Sequence, residues 1–169
     1  MLDCDAPKTY AAPYVSSVMA VEPQWIDHNG HLNMAYYNVL FDRGADEAFA
    51  ALGMGPDYLK RRGLSSMTAE VHVRYLREIH AGTPVRVTCQ LLGADAKRVH
   101  FFQELRHAED GFLSATSEVM LLHVDMAVRK VAPFPDDIAA NIARMLKAHA
   151  ALPRPAGAGR RIAMPEKST

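Results

Sequence analysis

Residues 25–33 read Trp25-Ile26-Asp27-His28-Asn29-Gly30-His31-Leu32-Asn33, and a helix-patterned stretch starts at Met34. This order sets one carboxylate, Asp27, in a short polar turn just ahead of a helix N-terminus. The first backbone N–H groups of a helix have no intrahelical partner and favour negative charge. A carboxylate facing such donors suits acyl transfer, in which charge grows on a carbonyl oxygen. The same residue types also build an Asx turn or a helix cap. The residues alone leave both readings open.

Downstream, Tyr37, Phe41, Ala45, Ala48 and Leu52 recur at three- and four-residue spacing, with Leu40 alongside, which predicts a helix over 34–52. Asp42, Arg43, Asp46 and Glu47 fall mainly outside that stripe. Gly44, Ala45 and Ala48 are small enough for another element to approach closely. Gly53 and Gly55-Pro56 stop the helix, and a helical turn is expected over 57–62. Upstream, a strand is expected from Tyr14 to Glu22, closed by Pro23. Further strands are expected over 64–76, 84–92, 98–107 and 112–126, with turns at Ala81-Gly82, Gly93-Ala94-Asp95 and Glu109-Asp110-Gly111. Val71, Val73 and Tyr75 alternate against His72 and Arg74, whereas 119–124 is apolar on both faces, as in a strand covered on both sides. A short strand over 131–134 and a helix from 135 to 151 complete the pattern.

One long helix and four or more antiparallel strands make an α+β two-layer domain in which helix and curved sheet bury each other's apolar faces. Residues 1–13 are expected to form a flexible leader, 14–151 a single domain, and 152–169 an extended or mobile tail carrying Pro153, Pro155, Gly157, Gly159 and Pro165. The helix leaves little room for a large pocket within one subunit, so a ligand site is expected at a helix end or between subunits.

The chain has 169 residues, 49% hydrophobic and 22% charged, with zero formal net charge. This length supports one real core. Neutrality gives no bulk attraction to nucleic acid or to an anionic membrane, and no apolar run is long enough to span a bilayer. The opening M-L-D-C-D-A-P-K-T-Y lacks an apolar signal core, so a cytoplasmic location is expected. There Cys4 and Cys89 are expected to stay unpaired, Cys89 serving as a small core hydrophobe. His28 and His31 flank the turn, but no convincing third ligand lies near in sequence and no metal is expected.

The turn and the order of elements resemble the hotdog-fold acyl-CoA thioesterases, in particular the 4-hydroxybenzoyl-CoA thioesterase-like group. That group carries an Asp, two residues, a Gly and often His-Val-Asn-Asn before a helix bearing a Tyr. Here the positions are Asp27, Gly30, His31, Leu32, Asn33, Met34 and Tyr37, with Met34 in place of the second Asn. The resemblance runs from about Tyr14 to Pro135. It implies a hotdog fold, a long central helix wrapped by a curved antiparallel sheet, and an acyl-CoA thioesterase with no cofactor. Asp27 would act as nucleophile or general base. The Met34 backbone N–H would take the oxyanion, with Asn33 or Ala35 nearby. His31 would shape the turn by a hydrogen bond, and Asn33 would cap the helix or position water. A second hotdog subgroup places its carboxylate on the central helix, which makes Asp46 and Glu47 the rivals of Asp27.

Coenzyme A carries phosphates, for which Arg74 and Arg77 (V-R-Y-L-R-E) and Lys97 and Arg98 (D-A-K-R) are the candidate partners. As a whole, the chain is similar to the betainyl-CoA thioesterases of carnitine breakdown, through W-I-D-H-N-G-H-L-N-M-A-Y-Y, R-Y-L-R-E and D-A-K-R-V-H-F-F-Q-E. A trimethylammonium acyl group would be held by aromatic faces and a carboxylate. Trp25, Tyr36, Tyr37 and Phe101 or Phe102 are the candidate rings, each of which could equally pack the core. Because exposed sheet edges are usually paired, a homodimer with sites at the interface is expected, with assembly to a tetramer open. Two other functions fit less well. Enoyl-CoA hydratases share the Asp and Asn29, but here Gly30 replaces a Pro and His31 is four residues after Asp27 rather than five. A non-catalytic acyl-CoA-binding module would be expected to carry a DNA-reading segment, and no helix-turn-helix pattern is present.

Overall fold

A computed structural model describes residues 9–164, so Cys4 and any pairing it makes lie outside the described residues. Helix α1 spans Met34–Leu52, and the face that buries Tyr37, Leu40, Phe41, Ala48, Phe49 and Leu52 lies on one antiparallel sheet. The strands are β1 (Tyr14–Val15), β2 (Met19–Ala20), β3 (Leu64–Tyr75), β4 (Pro84–Ala94), β5 (Arg98–His107), β6 (Leu113–Asp125) and β7 (Lys130–Val131). Their order is β1-β4-β5-β6-β3, with β2 also on β4 and β7 also on β6. Two shorter helices, α2 (Asp57–Arg62) and α3 (Asp136–His149), complete the hotdog arrangement of central helix and wrapping sheet.

Gly44 sets the helix–sheet distance. A Cβ at this position would stand 2.5 Å from Val87 Cβ, closer than real carbon contacts allow. Beneath it, Cys89 lies against the Gly44 carbonyl and Gln103, and burial pushes its thiol up to about 12. It is a small core hydrophobe, as read from the sequence. Gly53 ends α1 in the left-handed region at φ 94°.

Three sequence expectations need correction. The strand expected over 14–22 breaks into β1 and β2, because the Ser16 hydroxyl replaces a backbone acceptor for Val87 N–H and Ser17 turns toward α1. The strand expected over 131–134 shortens to β7. On β3, Val71, Val73 and Tyr75 do share the helix-facing side, opposite Val119, Ser117 and Ala115. Yet Val71 and Tyr75 remain 48% and 45% exposed, because α1 covers β4 and β5 and leaves β3 as an open edge.

The chain on either side of the sheet also finds partners. His149 at the end of α3 accepts the Leu91 N–H at Nδ1 (2.8 Å) and donates from Nε2 to the Ala11 carbonyl (2.8 Å). Beyond α3, the Pro153 carbonyl accepts from Gln90, and Gly159 N–H donates to Glu118 Oε2 at 2.7 Å.

Candidate active site

The turn before α1 closes on itself. Asp27 N–H donates to the His31 carbonyl, Gly30 N–H donates to the Asp27 carbonyl, and Gly30 takes φ 84°, which a side chain would strain. Leu32 N–H bonds the Ile79 carbonyl, Asn33 N–H bonds the Trp25 carbonyl, and His80 Nδ1 lies 2.9 Å from the Gly30 carbonyl. The turn is thereby fixed to the segment after β3. Asp27 Oδ1 accepts the Asn29 N–H at 2.8 Å, so an Asx turn is present. Among the described residues, Oδ2 has no hydrogen-bond partner.

The start of α1 selects one free donor. The Asn33 side chain caps the Ala35 N–H at 3.0 Å, which removes Ala35 as an oxyanion donor. Asn33 N–H is already bonded to Trp25, so Asn33 serves as the cap. Among the described residues, Met34 N–H is left without a partner, and the Met34 side chain points outward at 64% exposure. Asp27 and Met34 border the same cleft.

That cleft has a volume of about 440 Å³ and runs along Asp27, His31, Met34, Tyr37, Tyr75 and Glu78, with Leu32, Leu76 and Arg77 also on its walls. Tyr75 donates from its hydroxyl to the Met34 carbonyl (3.2 Å) and meets Tyr37 edge-on at 5.0 Å between ring centroids. The Tyr37 phenol is held above its ordinary 10.0, chiefly by burial, and the Glu78 carboxylate adds a smaller push in the same direction. His31 Nδ1 lies 3.3 Å from the Leu32 carbonyl, in keeping with a turn-shaping role. His28 is exposed, and among the described residues no three His, Cys, Asp or Glu side chains group as metal ligands.

Other candidates lie elsewhere. Trp25 is buried in the core, stacked on Tyr36 at 5.5 Å and covered by the Arg43 guanidinium, so neither ring borders the Asp27 cleft. Phe101 is buried edge-on against Phe49. Phe102 is buried on the opposite face of the sheet, beside Gly157. Of the proposed rings, only Tyr37 reaches the cleft. Sequence reasoning missed Tyr75, Leu76 and Glu78, because only the β3–β6 pairing and the long-range contact to Met34 bring the end of β3 to the start of α1.

The basic residues also separate. Arg77 borders the cleft, its guanidinium 3.8 Å above the Phe112 ring. Arg74 faces the other side of the sheet, with Nη1 near Gly157. Tyr75 stands opposite Ala115 and Arg98 opposite Leu122, so roughly 23 Å of β6 parts Lys97 and Arg98 from the cleft within one protomer. Arg98 is paired with Asp95 at 2.8 Å.

The rival carboxylates sit mid-helix. Glu47 accepts both the Ser17 N–H and the Ser17 hydroxyl, which ties it to the segment between β1 and β2. Asp46 borders an open groove of about 470 Å³ between α1 and β3, along Phe41, Asp42, Val71 and Val119. Burial, then the Asp42 charge, pushes its carboxyl above the ordinary 3.8. The backbone amides of their own stretch of α1 are spent within the helix.

Residues 21–142 match the Thioesterase-like superfamily. The chain is 39% identical over 145 residues to the betainyl-CoA thioesterase of Pseudomonas aeruginosa, a match covering 86% of this chain and 91% of that protein. It is 37% identical over 142 residues to the L-carnitine dehydrogenase/betainyl-CoA thioesterase of Rhizobium meliloti, covering 84% of this chain but 28% of that longer protein. A Staphylococcus aureus protein solved in complex with CoA superposes with a TM-score of 0.84 at 28% identity, covering 95% of this chain and 100% of that one.

Proposed function

We propose, from the premise that this chain belongs to the thioesterase-like superfamily, that it hydrolyses a small acyl-CoA, with betainyl-CoA the first substrate to test. The observation that carries this reading is that Asp27 and Met34, whose N–H has no partner among the described residues, line one cleft. In this reading a thioester carbonyl oxygen rests on the Met34 N–H and its carbon meets Asp27 Oδ2. Either that oxygen attacks, giving a mixed anhydride which water cleaves, or it takes a proton from the attacking water. Both routes break the C–S bond, form a C–O bond and release the CoA thiol with one proton. Loss of a donor such as Met34 N–H typically costs about 2.7–4 kcal/mol of barrier.

The complete site in this reading is a homodimer's. Antiparallel pairing of two open β3 edges would bring the Lys97–Arg98 end of the partner's sheet toward this protomer's cleft. Those side chains could then hold the coenzyme phosphates that Arg77 alone cannot cover. With the betainyl group, the reaction would serve carnitine breakdown, the pathway that the resemblance implies.

A free-thiol assay over a panel of acyl-CoAs tests the proposal. Wild-type protein is expected to release CoA from betainyl-CoA, and Asp27→Asn to lose turnover by roughly 10²- to 10⁴-fold while remaining folded. Full activity in Asp27→Asn would end the assignment. Crotonyl-CoA is the control for hydration: disappearance of enoyl absorbance without free thiol would favour a hydratase.

A further inference from the structure

Tyr75 occupies an unusual position for an exposed aromatic residue on an edge strand. Its hydroxyl is held by the Met34 carbonyl and its ring packs edge-to-face with Tyr37, which sets the ring's orientation, yet nearly half of it remains open. The open β3 edge accounts for the exposure, and the tether decides how the exposed ring lies. The tether fixes the ring across the first turn of α1, beside the amide proposed to hold the carbonyl oxygen. The charges around it are uneven. Asp27 and Glu78 border the cleft as carboxylates, while the one guanidinium there, Arg77, is drawn onto Phe112. Among the described residues, Glu78 makes only a long contact with His80, at 3.8 Å, and is well exposed.

We infer that Tyr75 and Glu78 form a subsite for a cationic acyl group and set the enzyme's preference for an acyl chain bearing a positive charge close to the thioester. The inference rests on the thioesterase reading and goes beyond it by naming these two residues as its specificity elements. In a betainyl group the quaternary nitrogen sits two bonds from the carbonyl carbon, within about 3 Å. In this reading its N-methyl groups lie in this cleft, which Trp25, Tyr36 and Phe101 do not line. A pinned ring face attracts a cation through its quadrupole at little entropic cost. A nearby carboxylate adds long-range attraction without hydrogen bonding, which a quaternary ammonium cannot offer.

The test compares betainyl-CoA with 3,3-dimethylbutyryl-CoA, which has the same shape with carbon in place of the charged nitrogen. The readout is the ratio of kcat/KM for the two thioesters in a single enzyme preparation, so partial misfolding cancels. Wild-type protein is expected to prefer the charged ester. Tyr75→Leu should reduce the ratio roughly threefold to thirtyfold, and Tyr75→Phe should retain most of it, because the ring remains. Glu78→Gln should reduce it about threefold, an effect that weakens with added salt. Turnover of both esters with an unchanged ratio in Tyr75→Leu and Glu78→Gln would overturn this inference and leave the thioesterase reading standing. Failure to hydrolyse either ester, or any acyl-CoA, would overturn both.

Discussion

At the scale of single residues, the site depends on what each polar group has left over. Asp27 spends one oxygen on the Asn29 amide and keeps the other, so turn closure is compatible with the proposed chemical role in the same side chain. Glu47 keeps neither oxygen free of Ser17. Glu47→Gln is therefore expected to leave acyl-CoA turnover within about twofold of wild type and to lower stability by about 1 kcal/mol in urea unfolding, the loss of one hydrogen-bonded charge. Gly44 acts by what it lacks. Gly44→Ala would gain roughly 1 kcal/mol of helix propensity, but the added carbon meets Val87 at 2.5 Å. Overpacking of a tight core typically costs about 1–3 kcal/mol, so a net loss of stability is expected, read as a lower urea midpoint.

At the scale of elements, α1 is used at its middle and at its N-terminus. Its middle anchors the sheet, and its N-terminus carries the amide proposed to hold the oxyanion. Asn33 joins these functions by consuming the Ala35 N–H and leaving that of Met34. Asn33→Ala should cost about 0.5–2 kcal/mol in denaturant unfolding, whereas Asn33→Asp, which can also cap, should recover most of it. β3 is the counterpart. Its hydrophobic alternation promises a buried face, but the helix does not extend over it, so Val71 and Tyr75 stand open. Its end supplies Tyr75, and its edge is the proposed seam with a second copy.

For the whole molecule, assembly and pH response follow from where polar groups are enclosed. If two β3 edges join, Val71→Asp would bury an unpaired carboxylate at the seam, raising the dimer dissociation constant at least about tenfold. Light scattering across a dilution series reads this directly. The chain before β1 is tied to α3 and β4 by His149, which needs Nδ1 bare to accept the Leu91 amide. Burial holds this imidazole below its ordinary 6.5, with the Ala11 carbonyl working the other way. As pH falls, the unfolded chain therefore takes up the proton first. The stabilisation is whole above about 6.5 and is lost as pH drops toward the folded-state value. Melting temperature should fall as pH is lowered from about 7.5 to about 5.5, and this fall should be smaller in His149→Gln.

Local chemistry was legible from the residues in order. The bounds of α1 and α2 follow from spacing and from Gly53 and Pro56, and the turn with Asp27 follows from D-H-N-G, since hydrophobic period, caps and turn residues act within a few positions. The sequence also presented Met34 as the start of a helix, although the role proposed for it belongs to the main chain. What needed the folded chain was every relation across distance. Sequence could not reveal that Trp25 and Phe101 are spent on the core while Tyr75 and Glu78 reach the cleft, nor that Lys97 and Arg98 lie at the far end of the sheet. Those outcomes depend on strand order and register, in which a side chain's neighbours come from other strands and helices, and no period within a strand encodes which they are.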